Sequence, residues 1–206
     1  MPTASYQKAL RFILRWEGGF VDDPADRGGR TNRGVTQRTY DSWRSRQGLA
    51  PRDVKGIEEA EVSAIYEGDY WIPPRCDILA SPLDLAEFDT AVNMGVRRSV
   101  RILQTVLGCG VDGAFGDTTK TAAANCDPGD AVVQYCKVRE GIYRGIVQRD
   151  PTQARFLKGW MNRLNALRAE AGIPGLEAAG KVDFGDTGAI AKVPDLDEGQ
   201  PLDNWR

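Results

Sequence analysis

Along most of the chain, apolar positions recur every three to four residues, in runs separated by glycine, proline and short polar side chains. Residues 4–17 carry Tyr6, Leu10, Ile13 and Leu14 on one stripe. Gly18-Gly19 follows, which predicts a first helix ending at or near Glu17. Residues 20–35 hold too much Gly, Asp, Pro, Arg, Thr and Asn for a helix and read as a long loop or a small β-hairpin. Thr36 is placed to cap a helix running to Gln47, with Gly48 as its stop. Residues 58–71 read as a third helix, with Val62, Ile65, Tyr66 and Tyr70 on the apolar side and Pro73-Pro74 beyond its end. Ser81-Pro82 reads as an N-cap followed by proline at the first helical position, opening a helix that turns Leu85, Phe88 and Val92 inward and ends at Gly95. Further helices are expected over 98–107, 117–125 (capped by Asp117), 130–148 and 152–171, the last closed by Gly172 and Pro174. The fold class is therefore mainly α, with at most one small hairpin in residues 20–35.

Composition narrows the chemistry. The 206 residues contain no histidine, so a Ser-His-Asp or Cys-His nucleophile pair, a His-ligated catalytic zinc and an imidazole general base are all excluded. Any proton transfer falls to carboxylates, hydroxyls, Cys, Tyr or Lys. The net charge of −2 is unevenly spread. Residues 176–206 hold 7 acidic and 3 basic side chains, leaving 22 acidic and 24 basic ones in the body. A body this mildly basic lacks the dense stripe of a nucleic-acid binder, and the Gly-, Asp- and Pro-rich end reads as an extended acidic tail. No run of 18 apolar residues is present to span a membrane, and Arg11 and Arg15 interrupt what would be a secretory apolar segment. Cys76, Cys109, Cys126 and Cys136 form no CxxC pair and read as reduced thiols, a Cys109–Cys126 bridge being the alternative.

Glu17 lies seven, four and three residues after Leu10, Ile13 and Leu14, so a helix reaching that far would turn it inward, at the negative pole of the helix dipole. Both conditions disfavour the ionised form and are expected to raise its pKa, as a proton donor near neutral pH requires; a salt-bridged structural glutamate is the alternative. Downstream, Asp22, Asp23 and Asp26 follow at five, six and nine residues. Thr31 comes next, on a scaffold of Gly28, Gly29 and Gly34. A protonated acid opposite a solvated carboxylate is the pair that glycosidic cleavage uses. Calcium binding is disfavoured, because the loop lacks the alternating Asp ligands and closing Glu of an EF-hand; no metal site is expected.

The run EGGF followed by DPADRGGRTNRGVT resembles the signature of glycoside hydrolase family 108, N-acetylmuramidases found among phage endolysins and secretion-linked muramidases. The similarity continues through YEGDYW and FDTAVNMG. LQTVLGCGVDGAFGDTT and FLKGWMNRL are similar to the peptidoglycan-binding region usually joined to that domain. The resemblance covers roughly residues 6–172. It implies a lysozyme-like domain over 1–95, a helical peptidoglycan-binding region packed on it over 96–175, and the acidic tail over 176–206. It makes Glu17 the catalytic acid and, by the spacing of phage-type lysozymes, gives Asp26 and Thr31 the task of orienting or activating water, with Asp22 or Asp23 as the alternative carboxylate.

Tyr66, Tyr70 and Trp71 are candidates to line a sugar cleft, and Asp89 with Asn93, four apart on one helix, to hydrogen-bond N-acetyl groups; for each the alternative is core packing or capping. Arg163 shares a face with Phe156 and Trp160 and needs a carboxylate, Glu17 or Asp89. Asp112 and Phe115 in VDGAFGDTT either contact ligand or only shape the turn. The implied activity is hydrolysis of the β-1,4 bond between N-acetylmuramic acid and N-acetylglucosamine by a cofactor-free monomer. Its expected partner is the glycan strand, not nucleic acid or a membrane. The enzyme would be made in the cytoplasm without a signal peptide and reach the wall through a holin-type pore or by lysis. A lytic transglycosylase giving 1,6-anhydro products and a non-catalytic wall-binding protein are the competing readings.

Overall fold

The structure, a computed structural model, describes residues 3–22 and 29–173. The acidic tail expected over 176–206 lies outside the described residues. The chain divides into two compact units, Met1–Ile72 and Pro73–Arg206.

The first unit begins with α1 (Ala4–Leu14), capped by the Thr3 hydroxyl, with Tyr6, Ala9, Leu10, Phe12 and Ile13 buried. The helix stops three residues short of Glu17. The Arg15 and Trp16 N–H groups turn back to the Phe12 and Ile13 carbonyls at 3.2 and 2.9 Å, tightening the last turn, and the next apolar residues, Trp16, Phe20 and Val21, are exposed. Glu17 therefore sits on the turn after the helix. The expected hairpin is short: β1 (Thr31–Asn32) pairs antiparallel with β2 (Val35–Thr36), and Val21 bridges to Thr31. Arg33 and Gly34 link the strands at φ +50° and +75°, the two left-handed positions of a tight hairpin turn. Thr36 caps α2 (Gln37–Arg46).

α3 (Glu59–Tyr66) opens with a capping box between Glu58 and Glu61 and passes into a π-helical turn, Glu67–Trp71. Glu61 ties the unit together. It accepts the Tyr40 hydroxyl at 2.6 Å, Arg44 Nη1 at 2.7 Å, Arg52 Nη2 at 2.7 Å and the Glu58 N–H at 2.9 Å. Burial alone would push its pKa up, but the Glu58 N–H, the Tyr40 hydroxyl and the two guanidinium groups hold it below the ordinary value.

The second unit contains α4 (Leu83–Met94), α5 (Val96–Leu107), α6 (Asp117–Asn125), α7 (Pro128–Arg149) and α8 (Ala154–Glu170). α4 packs on α5 and α7, and α8 packs on α7. Several helix starts differ from expectation; α5 opens at Val96 rather than 98, and α8 at Ala154 rather than 152, behind a 3-10 turn at Pro151–Gln153. Pro82, not Ser81, occupies the cap of α4, and Asp84 supplies the acceptor, taking the Leu85 N–H at 2.7 Å. α7 begins at Pro128 because Asp127 caps it, accepting the Asp130 N–H at 2.8 Å. Gly116 caps α6, with Asp117 its first residue. The VDGAFGDTT turn is built on Gln104, whose Oε1 accepts the Asp112 and Gly113 N–H groups at 3.0 and 2.8 Å. Its Nε2 donates to Asp112 Oδ1 at 2.7 Å, the Ala114 carbonyl at 3.0 Å and Thr119 Oγ1 at 3.1 Å.

Every residue of α4 from Leu83 to Ala91 is buried, including Asp84, Glu87 and Asp89. Asp89 is met by Arg139 Nη1 from α7 and by Arg163 Nε from α8 at 2.8 Å, so Asp89 is the Arg163 partner. Burial opposes its charge, but Arg163 and Arg139 hold the carboxyl below its usual range. Among the described residues Glu87 has neutral hydrogen-bond partners, Ser99 Oγ at 2.6 Å and the Tyr135 hydroxyl at 2.8 Å. Burial pushes its pKa up to about 7 against that relief. The geometry agrees with a protonated carboxyl. The single Ser99 hydroxyl proton has a second acceptor, the Val96 carbonyl at 2.8 Å, and a protonated Glu87 removes the competition by donating to Ser99. The four cysteines are all free thiols. Among the described residues no helix is long and apolar enough to cross a membrane.

Two outcomes are expected. Asp89→Asn leaves two buried guanidinium groups facing a neutral amide and should cost about 3–5 kcal/mol in denaturant unfolding. The folded chain keeps the Glu87 proton up to about pH 7, whereas the unfolded chain releases it near 4.5. The resulting stability is fully present below pH 4.5 and lost as pH rises through 7. Glu87→Gln should flatten that slope in thermal melts run across this range.

Candidate active site

The site is built on the hairpin turn of the first unit. Gly34 carries no side chain where one would not fit: a Cβ there would lie 2.8 Å from Glu17 Oε2, 3.1 Å from Glu17 Cδ and inside contact distance of the Tyr66 hydroxyl. Its φ of +75° also favours glycine. The half-buried Glu17 carboxylate thus lies against the bare α-carbon of the turn. Tyr66 donates its hydroxyl to the Arg33 carbonyl at 3.0 Å. The Tyr70 ring is 5.8 Å from that of Tyr66, and burial together with the charges of Asp69 and Glu17 pushes the Tyr70 pKa up.

Thr31, three residues before Gly34 on the same hairpin, exchanges both backbone hydrogen bonds with Val21 at 2.8 and 2.9 Å. Its hydroxyl donates to the Gly29 carbonyl at 3.3 Å. Asp22 is exposed and accepts Arg30 Nε at 3.2 Å, while Arg30 Nη1 also reaches Asp53 at 2.7 Å. Such solvated pairs contribute at most about 1 kcal/mol each. Asp23 and Asp26 lie outside the described residues.

Hence the structure brings together Glu17, Tyr66 and Tyr70, and holds Thr31 on the hairpin that carries Gly34. Trp71 is 2% exposed and packs its edge on Tyr6 at 5.3 Å, so it is a core residue with no face for a sugar. Tyr66, also 2% exposed, offers no ring face either. Asp89 and Asn93 belong to the second unit. Asp89 is fully buried in its arginine pairs, and Asn93 Oδ1 accepts the Tyr143 hydroxyl at 2.8 Å and Arg139 Nη2 at 3.2 Å. Both act as packing partners there.

Sequence reasoning passed over the two aromatics flanking Glu17, Trp16 and Phe20. They are 37% and 38% exposed, enough to offer ring surface to a ligand. The signal was present: both stand in WEGGF beyond the helical stripe, where no core claims them. Among the described residues no group of three or more Cys, Asp or Glu side chains is arranged to hold a metal ion.

A mainly helical chain that presents a glutamate over a glycine hairpin turn has the architecture of the lysozyme-like glycosidases. The model of the glycosyl hydrolase 108 family matches residues 10–95, and that of a predicted peptidoglycan domain matches residues 98–165. The solved structure of SagA from Brucella abortus is similar at 31% identity and a TM-score of 0.68, covering 81% of this chain and 93% of SagA. A search of the curated proteins found no match. The chain belongs to glycosyl hydrolase family 108. It is a glycosidase acting on peptidoglycan, with a peptidoglycan-binding region following the hydrolase region.

The crowding at Gly34 is directly testable. Gly34→Ala must displace Glu17 and Tyr66 and also strains the turn. It should cost about 1–2 kcal/mol of stability in thermal melts and remove most turnover on purified peptidoglycan.

Proposed function

We propose that the protein is an N-acetylmuramidase that hydrolyses the β-1,4 bond between N-acetylmuramic acid and N-acetylglucosamine, with Glu17 as the general acid. The observation that carries this reading is the seating of the Glu17 carboxylate on the bare α-carbon of Gly34, which fixes a proton donor on a rigid turn beside exposed Trp16 and Phe20. In the proposed reaction Glu17 protonates the leaving glycosidic oxygen as the bond breaks. A second carboxylate, Asp26, works with Thr31 to orient or activate water, or to stabilise the positive charge growing on the sugar ring. Trp16 and the face of Phe20 away from the Lys55 ammonium, which lies 5.4 Å from that ring's centroid, offer aromatic surface to pyranose rings, and the slightly basic body suits an anionic polymer. We read the physiological setting as that of an endolysin-type lysozyme that meets the wall on holin-dependent release or lysis.

The test is digestion of purified peptidoglycan with mass-spectrometric analysis of the products. Muropeptides ending in reducing N-acetylmuramic acid are expected. 1,6-anhydro ends would make the enzyme a lytic transglycosylase, and binding without soluble products would make it a wall-binding protein. Glu17→Gln should keep the wild-type melting profile and lose turnover by about a hundredfold or more, since the amide keeps the shape without a transferable proton. An active variant would overturn the assignment.

A further inference from the structure

The Glu17 assignment leaves open what holds the carboxylate against the turn. Three observations converge on Tyr66. Its hydroxyl is fixed on a backbone carbonyl, donating to Arg33 at 3.0 Å, and that carbonyl belongs to a turn whose two residues are both left-handed. The same hydroxyl and the Glu17 carboxylate crowd one point above Gly34, the place a Cβ would occupy. The backbone also changes character at this tyrosine: α3 ends at Tyr66 and the π-helical turn begins, closed by the Ile72 N–H on the Glu67 carbonyl at 3.0 Å. An extra residue in one turn lets Tyr66 and Tyr70 attend Glu17 while Trp71 reaches Tyr6 in the core. Such π-turns inside helices occur often at functional sites.

We propose that Tyr66 is a positioning residue for the reaction: its hydroxyl, anchored on the Arg33 carbonyl, fixes the Glu17 carboxylate relative to the hairpin that carries Thr31. This rests on the reading of Glu17 as the general acid. A tyrosine that only filled the core would need its ring and not its hydroxyl, because a phenylalanine occupies nearly the same volume. The position of the hydroxyl at the meeting point of acid and turn separates the two roles. With the hydroxyl gone, the Arg33 carbonyl loses its donor and the carboxylate loses the neighbour that limits its approach to the turn. The proton is then delivered from a broader set of geometries.

The experiment is Tyr66→Phe assayed on purified peptidoglycan beside Glu17→Gln. The expected result is a fall of about tenfold or more in kcat with KM nearly unchanged, and a displaced alkaline limb of the pH–rate profile, the limb that reports loss of the acid's proton. Gly34→Ala presses on the same two groups from the other side and should displace the same limb. Wild-type kcat and an unmoved limb in Tyr66→Phe, with Glu17→Gln inert, would overturn the positioning role and leave the general acid in place. An active Glu17→Gln would overturn both.

Discussion

A carboxylate withdrawn from water must be met by donors or keep its proton, and each unit is organised by that requirement. In the first unit Glu61 draws Tyr40, Arg44 and Arg52 onto the start of α3. In the second, Asp89 draws arginines from α7 and α8 onto α4. Glu87 is met by the Ser99 and Tyr135 hydroxyl groups instead, and burial pushes its pKa up to about 7. These acids pin particular contacts between elements whose apolar side chains make up the bulk of the core.

Glu17 stands apart from this pattern. It lies beyond the end of its helix, half-buried, against a residue chosen for having no side chain. The hairpin matters because two left-handed residues in succession bring its backbone close enough to serve as one wall of the site. Two short strands with four paired residues therefore do what a larger sheet does in other folds: they hold a backbone surface still beside a reactive group.

Much of this was legible in the sequence, and the omissions have physical causes. Helical periods, glycine stops and the Thr36 cap located most elements, because those signals are local. The end of α1 was misplaced since the apolar stripe through Leu14 extrapolates smoothly to Glu17, whereas the turn-tightening bonds at Arg15 and Trp16 leave no mark on the pattern. Tyr66, Tyr70 and Trp71 share a helical neighbourhood, but periodicity reports only that a face is covered, not what covers it. The π-turn splits them between acid and core. Arg163 reads from the sequence as a desolvated charge needing a carboxylate, with Glu17 and Asp89 both on offer. That the partner is Asp89, 74 positions away, is decided by tertiary packing.

The burial of α4 bears on where the chain can be divided. The hydrolase family region ends at residue 95 and the peptidoglycan region begins at 98, a boundary that separates α4 from α5, α7 and α8. Yet α4 is the centre of the second unit's core, with its acids answered from the far side of that boundary. A fragment cut there would carry Asp89 without its arginines, and its complement would carry Arg139 and Arg163 without their carboxylate. The two regions are distinct as sequence families but interdependent as folded matter, so an exchange of wall-binding modules between such enzymes has to carry α4 along.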